Sequence, residues 1–249
     1  MRYRPPLLAF SILCLVRLTA AQEAAEKPLY QIIGNEATIT GTINVTGTVP
    51  RPRLIDMAAD PVCVDANPRP ELDDLLVRDN KLQNAFVYVK GGQLNYYRFD
   101  VPDAEVVLER RNCYFTPRVV GMMVGQKVSF VNRDQTVHNT HPTPKFNQEW
   151  NTSSPPGSAP LKKTFTRPEI LIPVKDNQHP WEKAYVAVVA HPYFAVTDEF
   201  GRFEIHGLPP GTYTLVVWHE RLGEQQVEIT VAPGEIRNAD FSFDVDKKP

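Results

Sequence analysis

"IPVKDNQHPWEKAYV", residues 172–186, decides how the chain is read. Its two ends are apolar: Ile172 and Val174 close one run, and Ala184 to Val186 open the next. Between them lies a polar loop with His179 at its centre, Asp176 three residues before it and Glu182 three after. The flanks extend both runs, "EILIPV" before and "AYVAVVA" after. Short apolar runs rich in β-branched residues read as strands, so the segment is strand, loop, strand.

The same pattern recurs along the chain. "EATITGTINVTGTVPRP" alternates like a strand pair. In "LLVRDNKLQNAFVYVKGG", Ala85, Val87 and Val89 fall on one face, with Phe86, Tyr88 and Lys90 on the other. "AEVVLERRNCYFTPRVVGMMVGQKVSFVN" holds at least three short runs broken by Gly and Pro. After His191, strands alternate with tight turns such as "LPPG". There Phe203, Ile205, Tyr213, Leu215 and Val217 should face in, and Arg202, Glu204 and His206 out. Residues 51–73 and 139–168 are polar and Pro-rich and read as loops. Helix signals are scarce; outside the N-terminus only 104–111 could be argued. The expectation is an all-β protein.

The bulk numbers agree. The chain has 249 residues, 42% hydrophobic and 22% charged, and its 23 Pro outnumber its 13 Gly. That is the composition of a turn-rich globular protein. Residues 1–21 read as a secretory signal: Arg2 and Arg4, a short apolar core Leu7–Val16, and small residues at Thr19, Ala20 and Ala21. The core is too short to span a bilayer comfortably, so no membrane insertion is expected once it is removed. Three of the 27 basic residues and none of the 29 acidic ones lie in this segment, leaving the remainder acidic. Without a basic patch, nucleic acid is not an expected partner; a protein or envelope partner stays unnamed. Export, to the periplasm or beyond, implies an oxidising compartment. Cys63 and Cys113 remain after the signal, and a single disulfide is the natural reading. Such a link would close a loop of about 50 residues and stabilise by roughly 3–4 kcal/mol.

Six stretches carry a resemblance. "CYFTPRVVGMMVGQKVSFVNRD" leads into "VHNTHP", and "HPWEKAYVAVV" follows later. "HPYFAVT" (His191–Thr197), "GLPPGTY" (Gly207–Tyr213) and "WHE" (Trp218–Glu220) come after that. Together, from about Thr38 to Phe243, they resemble exported bacterial cupredoxin-like proteins fused to a carboxypeptidase-regulatory-like module. The resemblance implies a Greek-key cupredoxin-like sandwich over 36–190. It also implies a small regulatory-like sandwich of transthyretin type over 184–245, after a linker at 22–35.

It further implies where copper ligands would fall. The two imidazoles land on His138 and His179. The thiolate lands on Asp176 and the axial thioether on Glu182, so both sulfurs are missing. A blue centre is defined by its thiolate, which a carboxylate cannot replace. Cys113 precedes the strand pair, so it is expected toward the start of the sandwich, near Cys63, and out of the site. What remains is a set of two histidines and two carboxylates, suited to a divalent ion such as zinc or weakly coloured copper. His141, two residues past Asn139, is a further weak candidate. The leading reading, however, is a solvated rim with no cofactor, and the divalent-ion site is the alternative to it.

The leading expectation is therefore an exported, non-catalytic binding protein. No glycine-rich phosphate loop or "G-x-S-x-G" is present, and no catalytic residue is assigned. One alternative is a metal-binding or electron-transfer protein using the remodelled site. Another is a carbohydrate- or envelope-binding module presenting Trp218, which alternation places opposite the core face. His191 and His219 read as packed histidines.

Overall fold

A computed structural model describes residues 26–247; the expected signal at 1–21 lies outside them. Within the described residues the regular secondary structure is almost entirely strand, arranged as two sandwiches.

The first sandwich pairs a four-stranded with a five-stranded sheet. The smaller runs Leu161–Thr164, Lys127–Asn132, Val106–Arg111, Tyr114–Thr116. The larger runs Thr152–Ser154, His138–Pro142, Glu169–Lys175, Lys183–Val189, Val119–Met123. Leu108, Phe130, Met122, Ile172, Val174 and Val186 interlock between them, all essentially without solvent contact. The opening stretch forms the antiparallel pair Glu169–Lys175 and Lys183–Val189, with its polar loop at one end of this sandwich.

The second sandwich has one sheet of Phe194–Val196, Phe86–Lys90, Gly211–His219 and Gly223–Val231. The facing sheet is organised around Ala37–Thr46. That strand pairs antiparallel with Arg202–Leu208 and parallel with Ile236–Asn238 and Phe241–Asp244. Ile39, Ile43, Val87, Val89, Tyr213, Leu215 and Val217 fill the core. Phe203 and Ile205 are buried while Arg202, Glu204 and His206 are exposed, as alternation requires.

The two sandwiches stack. Phe86, Tyr88 and Val216, on the back of the second core sheet, pack against Val119 and Ala187 of the first. The middles of strands Phe86–Lys90 and Gly211–His219 are thus covered on both faces, which explains why Phe86, Tyr88 and Val216 are apolar as well as the core-facing set. Arg118 crosses this junction, paired with Glu220 and Asp73.

Three expectations are corrected. The second sandwich does not begin near 184: Ala37–Thr46 and Phe86–Lys90 belong to it, and 184–189 belong to the first. Strand pairing between distant segments leaves no local mark, so the boundaries at 36–190 and 184–245 followed sequence order instead. Residues 104–111, where a helix could be argued, form the strand Val106–Arg111, in keeping with the β reading of that stretch. Among the described residues the α-helix is Pro61–Ala66, inside the 51–73 loop, where Asp60 caps it and Pro61 starts it. The described part of the 22–35 linker is also docked, through the Leu29–Arg98 bridge and Tyr30 against Tyr97 and Phe99.

Candidate metal centre

His138, Asp176, His179 and Glu182 meet at one end of the first sandwich, each almost wholly buried. His138 opens its strand just after the Asn132–Asp134 turn, and the other three come from the loop between the two central strands. Their donor atoms converge. His138 Nδ1 is 3.0 Å from His179 Nδ1, 3.2 Å from Asp176 Oδ2 and 3.1 Å from Glu182 Oε1. His179 Nδ1 is 3.4 Å from Asp176 Oδ2 and 3.7 Å from Glu182 Oε1.

The loop is built to hold this shape. Asp176 Oδ1 accepts the Gln178 and His179 amides, and Oδ2 accepts the Asn139 amide. Asn177 N–H donates to Asn139 Oδ1, tying the loop to the neighbouring strand. Burial alone would raise the Asp176 carboxyl pKa, but the two imidazoles and the amides outweigh it and hold the group well below its usual range.

The far side of each ring fixes its tautomer. His138 Nε2 lies 3.1 Å from Asp134 Oδ2, and His179 Nε2 lies 3.0 Å from Asp60 Oδ2. A carboxylate only accepts, so each Nε2 carries the proton and donates it. Both Nδ1 lone pairs then face each other and two carboxylate oxygens. Glu182 Oε1 is buried and accepts no hydrogen bond. Without a cation, one way to relieve this is for His138 to take a second proton. Burial opposes that charge, yet Asp134, Asp176 and Glu182 prevail and raise its pKa to about 10. His179 is raised in the same way, burial opposing and Asp176 and Asp60 prevailing.

Arg110 is the one fixed cation of the cluster. Its Nε donates to Glu182 Oε2 at 3.1 Å and lies 3.8 Å from Asp176. Nη1 and Nη2 donate to Thr140 Oγ1 and to the Asn139 carbonyl. The guanidinium also stacks 4.1 Å from the Phe115 ring centre.

Beside the cluster sits the Cys63–Cys113 disulfide. The bond was expected; its place was not. Cys113 occupies the turn between Val106–Arg111 and Tyr114–Thr116, at the histidine end of the sandwich, and Trp181 Nε1 donates to its carbonyl. A hairpin turn returns the chain to the end where its first strand finishes, which reasoning from order alone overlooked.

The remaining candidates fall elsewhere. His141 lies on the rim, bonded to Asn177 and Glu149, and does not join the four donors. Trp218 is half-buried against Tyr185, with ring centres 5.0 Å apart, and packs in the junction between the sandwiches. It is no exposed sugar platform, because the other sandwich covers the face that alternation left open. Asp60, Asp134 and Arg110 were not picked out beforehand. Arg110 did carry a signal: it follows Val106 and Leu108 at period two, a charge on an apolar face. Asp60 carried one too, as an aspartate directly before proline.

The family model for the carboxypeptidase regulatory-like domain matches residues 172–244. No curated protein matches. Among solved structures, a copper-containing nitrite reductase from Thermus scotoductus SA-01 is 23% identical with a TM-score of 0.32, over 34% of this chain and 22% of that one. Amicyanin from Paracoccus versutus is 21% identical with a TM-score of 0.31, over 36% and 85%. A purple cupredoxin from Nitrosopumilus maritimus is 20% identical with a TM-score of 0.29, over 34% and 99%. Overlaps of this size assign no activity.

Proposed function

From a chain that joins a cupredoxin-like sandwich to a carboxypeptidase regulatory-like one, we propose a protein that holds one divalent ion in a closed, non-catalytic centre. His138, His179, Asp176 and Glu182 would hold it, and zinc is the ion these donors suit best. The observation that carries the reading is the convergence of four buried acceptor atoms, one of them, Glu182 Oε1, with no hydrogen bond. Bonds of about 2.0–2.1 Å to a four-coordinate ion separate its donors by about 3.3–3.4 Å. The five separations given above, from 3.0 to 3.7 Å, bracket that spacing.

Copper of the blue type does not fit. No sulfur is among the four donors, and the two described cysteines, Cys63 and Cys113, are bonded to each other. Cu(II) with nitrogen and oxygen donors prefers tetragonal geometry, whereas zinc accepts a closed tetrahedral set. Burial of all four side chains leaves no open position of the kind catalytic zinc requires, which favours a structural or metal-keeping role.

When bound, the ion supplies positive charge to a cluster rich in carboxylates. The chain's own groups do the rest. Asp134 and Asp60 hold the two Nε2–H groups, backbone amides hold Asp176, and Arg110 holds the second oxygen of Glu182. Export is the compartment the intramolecular disulfide favours.

The test is metal content after purification without chelator, with zinc and copper offered separately. About one equivalent of zinc, lost in His138→Ala/His179→Ala, is expected, with only weak colour from copper. No retained metal, or an intense thiolate-like colour, would overturn the assignment.

A further inference from the structure

We propose that the Cys63–Cys113 disulfide is part of the metal centre: it sets Asp60 and Asp134 as positioning residues for the two imidazoles, so its loss weakens metal holding. The proposal rests on reading the four-residue cluster as metal-holding.

Each outer carboxylate joins one imidazole to one half-cystine. Asp60 Oδ1 accepts the amides of Val62 and Cys63, while its Oδ2 accepts His179 Nε2–H and the Thr136 hydroxyl. Asp134 Oδ1 accepts the Asn112 amide, while its Oδ2 accepts the Cys113 amide and His138 Nε2–H. The arrangement is the same twice over: imidazole, carboxylate, cysteine amide. The disulfide then closes the two arms covalently, with the Cα atoms 5.6 Å apart and neither cysteine exposed. Asn67 spans the same gap, its side-chain amide donating to the Cys63 and Asn112 carbonyls.

The local backbone points the same way. Asn112 and Cys113 have φ of 55° and 57°, the left-handed pair of a tight hairpin turn. Asparagine tolerates that region; cysteine is seldom found there. Cys113 is placed there with its amide on Asp134 and its sulfur on Cys63. A carboxylate behind an imidazole orients the ring and makes its other nitrogen a better donor, and its removal commonly costs ten- to hundredfold in metal affinity.

The full-length protein is compared with Cys63→Ser/Cys113→Ser, with Asp60→Asn/Asp134→Asn, and with the fourfold variant. Zinc affinity is read by competition with a chromophoric chelator. The Nε2–H signals of His138 and His179 are read by NMR on the metal-free protein. The asparagine pair keeps the disulfide and an acceptor at each place, so it stays informative if the serine pair fails to fold. Both double variants should bind zinc about ten- to hundredfold more weakly. The fourfold variant should be little weaker than either, because one chain of contacts is being cut twice. The Nε2–H signals should broaden or vanish in the serine pair.

Unchanged affinity with both signals retained in the serine pair would overturn the proposal. So would tighter zinc binding there, which would mean that the disulfide holds the imidazoles away from the ion rather than toward it. If the unaltered protein retains no zinc, the metal reading fails by itself, and the NMR comparison decides whether the disulfide still positions the imidazoles.

Discussion

Gly121 lies so close to Phe194 that an ideal β-carbon on the glycine would stand 2.3 Å from the phenylalanine ring. Gly121 belongs to the edge strand Val119–Met123 of the first sandwich, and Phe194 to an edge strand of the second. The missing side chain sets how closely the two sheets stack. Gly121→Val should therefore destabilise by about 1–3 kcal/mol or more, as overpacking does. Phe194→Ala in the same chain should recover part of the loss. Urea unfolding of the three variants checks this, and independent, additive costs would count against it.

Trp218 supports the same junction. Trp218→Ala should cost about 2–3 kcal/mol, less than a fully buried tryptophan, since the ring is only half-covered against Tyr185. Retention on a polysaccharide column should be the same before and after the change.

Asp176→Cys/Glu182→Met restores the two sulfurs at the places the cupredoxin-like resemblance assigns. If the cluster is the copper position with altered donors, this variant should take Cu(II) with intense visible absorption, and the unaltered protein should not. A colourless copper complex of the variant would mean that the loop no longer presents residue 176 to the imidazoles.

His191 and His219 predict acid sensitivity. Burial lowers each pKa to about 4 from an ordinary 6.5; at His219 the Arg118 charge adds to it. The folded state thus favours the neutral rings. Their contribution is complete above pH 6.5 and is lost as pH falls toward 4, on the order of 3 kcal/mol each at the limit. His138 runs the other way in metal-free protein: its raised pKa favours folding below pH 6.5, and that support fades as pH rises toward 10. Ring signals followed by NMR should separate the two groups, with His191 and His219 titrating near 4. A titration of either near 6.5 would contradict its burial.

Much of this was legible in the chain. Period-two alternation assigned Phe203 and Ile205 inward and Arg202 and Glu204 outward without any partner strand being known. The four converging side chains were recoverable because a resemblance supplied their pairing across some 40 residues. What could not be read were relations that local pattern does not encode. Ala37–Thr46 looks like any amphipathic strand, and nothing in it names Arg202–Leu208 or Phe241–Asp244 as neighbours. Trp218 was placed on the correct face, but alternation says only that a face is not the core, not that another sheet lies over it. Asp60, Asp134 and Arg110 were passed over as ordinary polar residues because their meaning comes from contacts made across the fold.

The strand Ala37–Thr46 also has a timing problem. Apart from the two-residue strand Lys81–Leu82, its neighbours in the finished sheet begin with Arg202, about 155 residues after Thr46. At roughly 5–20 residues per second, a ribosome needs about 10–30 s to deliver them. Throughout that interval the early segment has a complete apolar face and few partners, while the first sandwich already has all of its strands once Val189 has emerged. The order of assembly should then differ from the order of synthesis: the middle of the chain closes first, and its beginning waits for its end.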